Sequence, residues 1–119
     1  SIILKEKKKP ILAICRGFQL LMNFYKIKLH KKKDHVNKNH KLKINKSRFL
    51  NSKTLFTNSY HNYCINHVPK DFSIIAKNKD GTVEISEHKT KKILCLMFHP
   101  ERKMKSQKEI LKDILLFFK

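Results

Sequence analysis

The sequence predicts an α/β domain, and three observations predict it. Two short apolar runs, Pro10 to Ile14 and Ile93 to Phe98, read as buried strands, and each ends in a reactive residue, Cys15 and His99. Asp80-Gly81 separates two alternating segments and marks a hairpin turn. The chain closes on an amphipathic stretch, Lys108 to Phe118, with helical spacing.

Taken in order, Ser1 to Lys9 reads as the tail of a helix and a lysine-rich loop leading into the first strand. That strand, Pro10 to Ile14, is apolar on both faces and therefore expects neighbours on each side. Cys15 ends it, Gly17 permits a tight turn, and Phe18 to Phe24 reads as a helix. A cysteine between strand and helix has the logic of a nucleophile elbow, with its side chain exposed on a sharp turn. The helix N-terminus behind it favours thiolate over thiol. Lys31 to Asn39 reads as an exposed loop and His40 to Ile44 as an edge strand, where lysines discourage aggregation. Ser47 to Phe56 is expected to form a short helix or turn against the core. Thr57 to Ile65 is too polar for a core strand and reads as a loop or strand-to-loop passage.

Phe72 to Lys77 and Thr82 to Glu87 form the predicted hairpin arms, and Pro100 stops the last strand. Ser106-Gln107-Lys108-Glu109 has the capping-box pattern. The helix after it would bury Ile110, Leu111, Ile114, Leu115 and Phe118.

Composition bounds the function classes. At 119 residues the chain is at most one small domain, and 40% hydrophobic content fits a folded protein. No apolar run is long enough to span a membrane, and no signal-peptide pattern opens the chain. Three cysteines without paired spacing point to a reduced, cytoplasmic compartment. The net charge of +19 would attract nucleic acid or acidic metabolites. Only three of the basic residues are arginine (Arg16, Arg48, Arg102), whereas phosphate and base readers use more. Compositional drift is therefore preferred over nucleic-acid binding, which stays as the competing class through Lys5, Lys7 to Lys9 and Lys31 to Lys33. A milder version joins the two: the positive field steers an anionic nucleotide substrate to the site. His61, Cys64 and His67 have a ligand-like spacing, but no second pair completes a zinc site, so no metal or cofactor is expected. Cys95 is assigned to the core, and no chemistry is assigned to Cys64, expected to be partly exposed, or to His88, read as an ordinary surface residue.

A Cys–His pair at the carboxyl ends of two strands suits nucleophilic acyl transfer. The histidine serves as base towards sulfur and then as acid towards the leaving group. Glu101, two residues on, is placed to orient the imidazole.

These residues also resemble a known family. Ala13-Ile14-Cys15-Arg16-Gly17-Phe18-Gln19 resembles the nucleophile motif of class I glutamine amidotransferases, and Met97-Phe98-His99-Pro100-Glu101 resembles their His-x-Glu motif. Asn58-Ser59-Tyr60-His61 and Asp80-Gly81-Thr82-Val83-Glu84 resemble segments of the γ-glutamyl hydrolase branch, in the family's order. Asp34-His35-Val36 and His99 to Arg102 further resemble amidotransferase-like hydrolases of surface-polysaccharide pathways. One such type releases glutamate from a γ-glutamyl nucleotide amidate used in capsule modification.

The resemblance implies a flavodoxin-like fold and hydrolysis of glutamine or a γ-glutamyl amide through a γ-glutamyl thioester. Cys15 would be the nucleophile, His99 the acid/base and Glu101 the orienter. The backbone N–H of Arg16 would hold the oxyanion, and Gln19, Ser59, Tyr60 and His61 would hold the glutamyl group. There are two departures. Ala13 stands where the family usually has glycine. The family's domain also extends further at its N-terminus, so residues 1–119 are expected to be a partial domain lacking the loop that supplies the second oxyanion donor. Losing one such donor typically costs about a hundred- to a thousand-fold in rate. The short chain is expected to need a missing N-terminal half or a synthetase partner. The alternative is an inactive remnant or a basic binding protein.

Overall fold

The computed structural model describes residues 9–31 and 36–119, with the side chains of 36–38 outside the description. The predicted N-terminal tail, Lys5, Lys7, Lys8, Lys32, Lys33, Asp34 and His35 lie outside the described residues.

Strand β1 (Ile11–Ile14) runs into helix α1 (Arg16–Phe24). Short β2 (His30–Lys31) pairs antiparallel with β5 (Tyr63–Cys64), and β3 (Val36–Lys43) with β4 (Thr54–Tyr60). The hairpin β6 (Phe72–Lys77) and β7 (Val83–His88) precedes β8 (Ile93–Leu96), and α2 (Gln107–Phe117) closes the chain. The main sheet is four-stranded, in the order β1-β8-β7-β6. β1 and β8 are parallel, with Ile11 opposite Ile93 and Ile14 opposite Leu96, and the remaining pairs are antiparallel. Among the described residues β1 pairs only with β8.

Strand alternation divides the core between the two sheet faces. Leu94 and Leu96 of β8 pack with Ile85, Ile110, Ile114 and Phe117 beneath α2, joined by Leu42 of β3 and Leu55 of β4. Ile93 and Cys95 face the other way, with Ala13, Phe18 and Met22 beneath α1. The result is a helix on each face, with the carboxyl end of β1 beside that of β8. Gly81 supplies the positive φ (85°) of the β6–β7 turn, and Asp80 Oδ1 accepts the Thr82 N–H at 3.1 Å.

Several expectations are corrected. The predicted loop over Lys31 to Asn39 is strand at both ends, where the backbone pairs with β5 and β4. Of the two forms expected for Ser47 to Phe56, the turn and not the helix is present, and Thr54 to Phe56 already belong to β4. Ser47 Oγ accepts the N–H groups of Phe49 and Leu50 at 3.1 and 3.0 Å, and Leu50 tucks into the core. The polar run Thr57 to Tyr60 is strand, with Thr57, Asn58 and Ser59 buried.

The capping box does not form: Ser106 Oγ accepts the Phe56 N–H of β4 at 2.8 Å instead of capping α2. That tie rotates the helix. Leu111, Leu115 and Phe118 are exposed, while Phe117 and Asp113 turn inward. Asp113 is satisfied by the Asn51 backbone and side-chain amides, both at 3.1 Å. His88 is buried rather than superficial. Its Nδ1 accepts the Lys91 and Thr90 N–H groups, and burial, then Lys91, push its pKa down despite Asp71. Cys64, expected partly exposed, is fully buried. No helix among the described residues is long and apolar enough to cross a membrane.

Candidate active site

Ladder geometry builds the first half of the site. The Cys15 N–H donates to Leu96 O at 2.7 Å and so carries the β1–β8 pairing one residue past the strand. The chain then turns within that single residue: Cys15 has φ 50° and ψ −100°, and α1 begins at Arg16. A non-glycine residue at positive φ is uncommon and costs about 1–3 kcal/mol, so the fold around it must hold it there. The turn is thus made by Cys15 itself and not by Gly17, which lies in the first turn of α1. A Cβ at Gly17 would sit 3.8 Å from that of Ala13, so the Ala13 methyl fits beneath the helix without a clash.

Cys15 is only 5% exposed, against the expectation of an exposed thiol. Burial pushes its pKa up and outweighs the Arg16 N–H and the Arg102 charge, which pull it down; Glu84 and Glu101 add to the rise. Burial thus disfavours the thiolate that the helix N-terminus was expected to favour, and ionisation calls for a base.

The second half lies beyond β8. Met97 N–H donates to Glu84 O at 2.8 Å, and His99 follows at the same end of the sheet as Cys15. His99 Nδ1 is 2.7 Å from Glu101 Oε2. An ionised carboxylate only accepts, so Nδ1 carries the proton and Nε2 is left as the basic nitrogen. Asn58 of β4 grips the same residue from behind: its Oδ1 accepts the His99 N–H at 2.9 Å and its Nδ2 donates to His99 O at 2.8 Å.

The residues singled out for the glutamyl group fall into two sets. Arg16 and Gln19 line a cavity of about 320 Å³ with Leu20, Asn23 and Tyr63. Gln19 Nε2 donates to Tyr63 O at 3.3 Å and to Met97 Sδ at 3.7 Å, tying the cysteine's helix to both neighbouring segments. Tyr60 is 39% exposed, with its ring centroid 6.1 Å from that of His99. Ser59 and His61 turn inward, at 0% and 2% exposure. His61 Nδ1 donates to Tyr63 O at 3.0 Å, and its Nε2 lies 3.2 Å from Glu84 Oε2. The Tyr63 carbonyl therefore links a buried His61–Glu84 pair to Gln19, one turn from Cys15.

Asn58 and Glu84 were not among the residues singled out. Their signal was present in Asn58 to His61 and Asp80 to Glu84, but a spacing does not show that Asn58 holds His99 or that Glu84 meets His61. Among the described residues no three His, Cys, Asp or Glu side chains converge as a metal site.

Residues 3–117 match the family model described as glutamine amidotransferase class-I. The chain is 32% identical over 97 residues to a γ-glutamyl-CDP-amidate hydrolase of Campylobacter jejuni, covering 82% of this chain and 45% of the relative. It is 30% identical over 109 residues to anthranilate synthase component 2 of Helicobacter pylori, covering 89% of this chain and 56% of that protein. Among solved structures, a glutamine amidotransferase from Thermotoga maritima superposes with a TM-score of 0.73 at 18% identity, over 93% of this chain and 48% of its own. A Thermoplasma acidophilum structure provisionally assigned to GMP synthase reaches 0.83 at 24% identity, over 97% of this chain and 59% of its own. The chain spans about half the length of the curated relatives it matches.

Proposed function

The chain belongs to the class I glutamine amidotransferase family, and from that premise we propose that it hydrolyses a γ-glutamyl amide through a thioester on Cys15. The observation that carries the reading is the placement of Cys15 and His99 at the ends of the parallel pair β1–β8, with Glu101 on His99 Nδ1.

The chemistry follows from those positions. His99 Nε2 takes the Cys15 proton, and the sulfur forms a bond to the γ-carbonyl carbon. The carbonyl oxygen becomes an oxyanion facing the Arg16 N–H at the start of α1. As the C–N bond breaks, the imidazolium gives its proton to the departing nitrogen, leaving the thioester. Water, losing a proton to His99, then adds to the thioester and releases glutamate, and the sulfur regains its proton. Arg16 and Gln19, which border the cavity on the cysteine's side, hold the glutamyl end; Ser59, Tyr60 and His61 complete its binding segment.

Two finer statements belong to the same proposal. The leaving group is a nucleotide amidate of the kind named for the Campylobacter jejuni relative, in a surface-polysaccharide setting. A second oxyanion donor comes from a segment or partner outside these residues, in keeping with the span of the relatives and the one-sided pairing of β1 among the described residues.

Treatment with a glutamine-like electrophile tests the reading, with peptide mapping of Cys15, Cys64 and Cys95. The expected result is labelling at Cys15 alone, blocked by excess glutamine or a γ-glutamyl amide and absent in Cys15→Ser. Equal labelling of the three cysteines, or none, would overturn it.

A further inference from the structure

A second concavity lies beside the candidate catalytic histidine. A groove of about 560 Å³ is lined by Phe56, Thr57 and Tyr60 of β4, Asn39 of β3, and Lys103 and Lys105 of the segment after His99. It starts beside the site, because Tyr60 both lines it and packs its ring 6.1 Å from the His99 ring. Asn58, which holds His99 by both backbone groups, also reaches Lys103 O at 3.4 Å, so one side chain sets the groove wall and the imidazole together.

Its chemistry is cationic and aromatic. The Arg102 guanidinium sits 4.8 Å over the Tyr60 ring, and Lys105 and Lys41 place their ammonium groups 4.8 and 5.8 Å from the Phe56 ring centre. Cations resting on aromatic faces have given up part of their rotamer freedom, so they present charge at defined positions. Among the described residues no acidic side chain lines the groove, and the nearby Glu101 is turned to His99. Such a surface suits a ligand that is both anionic and planar.

The direction of the reaction says which ligand that is. The cavity proposed above for the glutamyl end is lined by Arg16 and Gln19 of α1, whereas in the proposed reaction His99 delivers its proton to the departing nitrogen. The departing group must therefore lie on the side of His99 and Tyr60, where the groove opens. We propose that this groove is the leaving-group subsite and that it takes a phosphorylated nucleoside, its phosphates against Arg102, Lys103 and Lys105 and its base beside Phe56 and Tyr60. This rests on the hydrolase reading above and specifies where the departing group is held and by which side chains.

The test is direct binding of cytidine 5′-diphosphate to the whole chain by calorimetry, with inorganic pyrophosphate and a cytidine oligonucleotide as comparison arms. The nucleoside diphosphate is expected to bind at least tenfold more tightly than pyrophosphate. Lys105→Glu is expected to weaken it at least tenfold, and Phe56→Ala several-fold. Lys112→Glu, an equal charge change on the exposed face of α2, is expected to leave it within twofold. Equal weakening by Lys105→Glu and Lys112→Glu would reduce the groove to diffuse attraction and overturn the proposal. So would equal affinity for pyrophosphate, tighter binding of the oligonucleotide per nucleotide, or no binding. Electrophile labelling of Cys15 in the same samples separates the two claims. Labelling without nucleotide binding removes the groove alone; nucleotide binding without labelling removes the hydrolase reading.

Discussion

Asn58→Ala tests whether the histidine's position is built from β4. Asn58 is 2% exposed and makes one hydrogen bond to each polar group of the His99 backbone, at 2.9 and 2.8 Å. Truncation strands a buried N–H and a buried C=O, each worth about 1–3 kcal/mol when left unpaired. Because His99 is only partly buried, water can take over one of the two, which brings the expected loss to about 1–3 kcal/mol. Asn58→Asp keeps the acceptor for the His99 N–H but sets an oxygen against His99 O, so it should lose at least half as much. Urea unfolding of the whole chain, followed by circular dichroism and extrapolated to water, reads both values. In the folded fraction, electrophile labelling of Cys15 should slow if His99 is its base, because the His99 backbone is no longer held by β4. A loss below about 1 kcal/mol for Asn58→Ala, the range of a surface residue, would refute the clamp.

The remaining predictions concern the charges around Cys15. Because burial holds its thiol above the ordinary value of 9.0, alkylation by iodoacetamide should be slower at neutral pH than that of a free thiol. The rate should still be climbing at pH 9; a plateau below pH 8 would contradict this. Glu84 raises and Arg102 lowers the Cys15 pKa, so Glu84→Gln should shift the alkylation profile to lower pH and Arg102→Ala to higher pH. Shifts of the opposite sign would exclude that arrangement. Glu84→Ala should cost about 1–3 kcal/mol in the same urea assay, because it removes the buried carboxylate 3.2 Å from His61 Nε2. Glu84→Gln should cost less than half as much, since the amide keeps the side chain's volume and an oxygen facing His61.

The legible parts of the chain were those where local pattern and tertiary environment agree. β1 and β8 are apolar on both faces because both faces are covered, by α1 and α2, and an uninterrupted apolar run records that directly. Asp80-Gly81 fixes its own turn through the positive φ of Gly81. The failures were places where a polar side chain serves something distant in sequence. Thr57 to Ser59 read as loop because their polarity is satisfied across the fold, as Asn58 is by His99, and no window of sequence contains both partners. Ser106 has the right neighbours for a cap, but it answers to Phe56, 50 residues away, and α2 turns a different face inward. At the candidate site, order and spacing singled out Cys15, His99 and Glu101. They could not give the burial of Cys15, which depends on what the rest of the chain places over it.

The backbone of Cys15 makes the reacting geometry a consequence of folding. An unfolded peptide of the same sequence spends little time at φ 50°, so the orientation of the sulfur is set when β1 docks on β8 and α1 lies down over Ala13. Strain held in one residue also relaxes in one residue. A local loosening at the end of β1 would let Cys15 return to negative φ and swing the sulfur off the Arg16 N–H while both helices stayed packed. The orientation of this sulfur is therefore expected to be more fragile than the fold that carries it, and to be lost at a milder temperature or denaturant concentration than global unfolding.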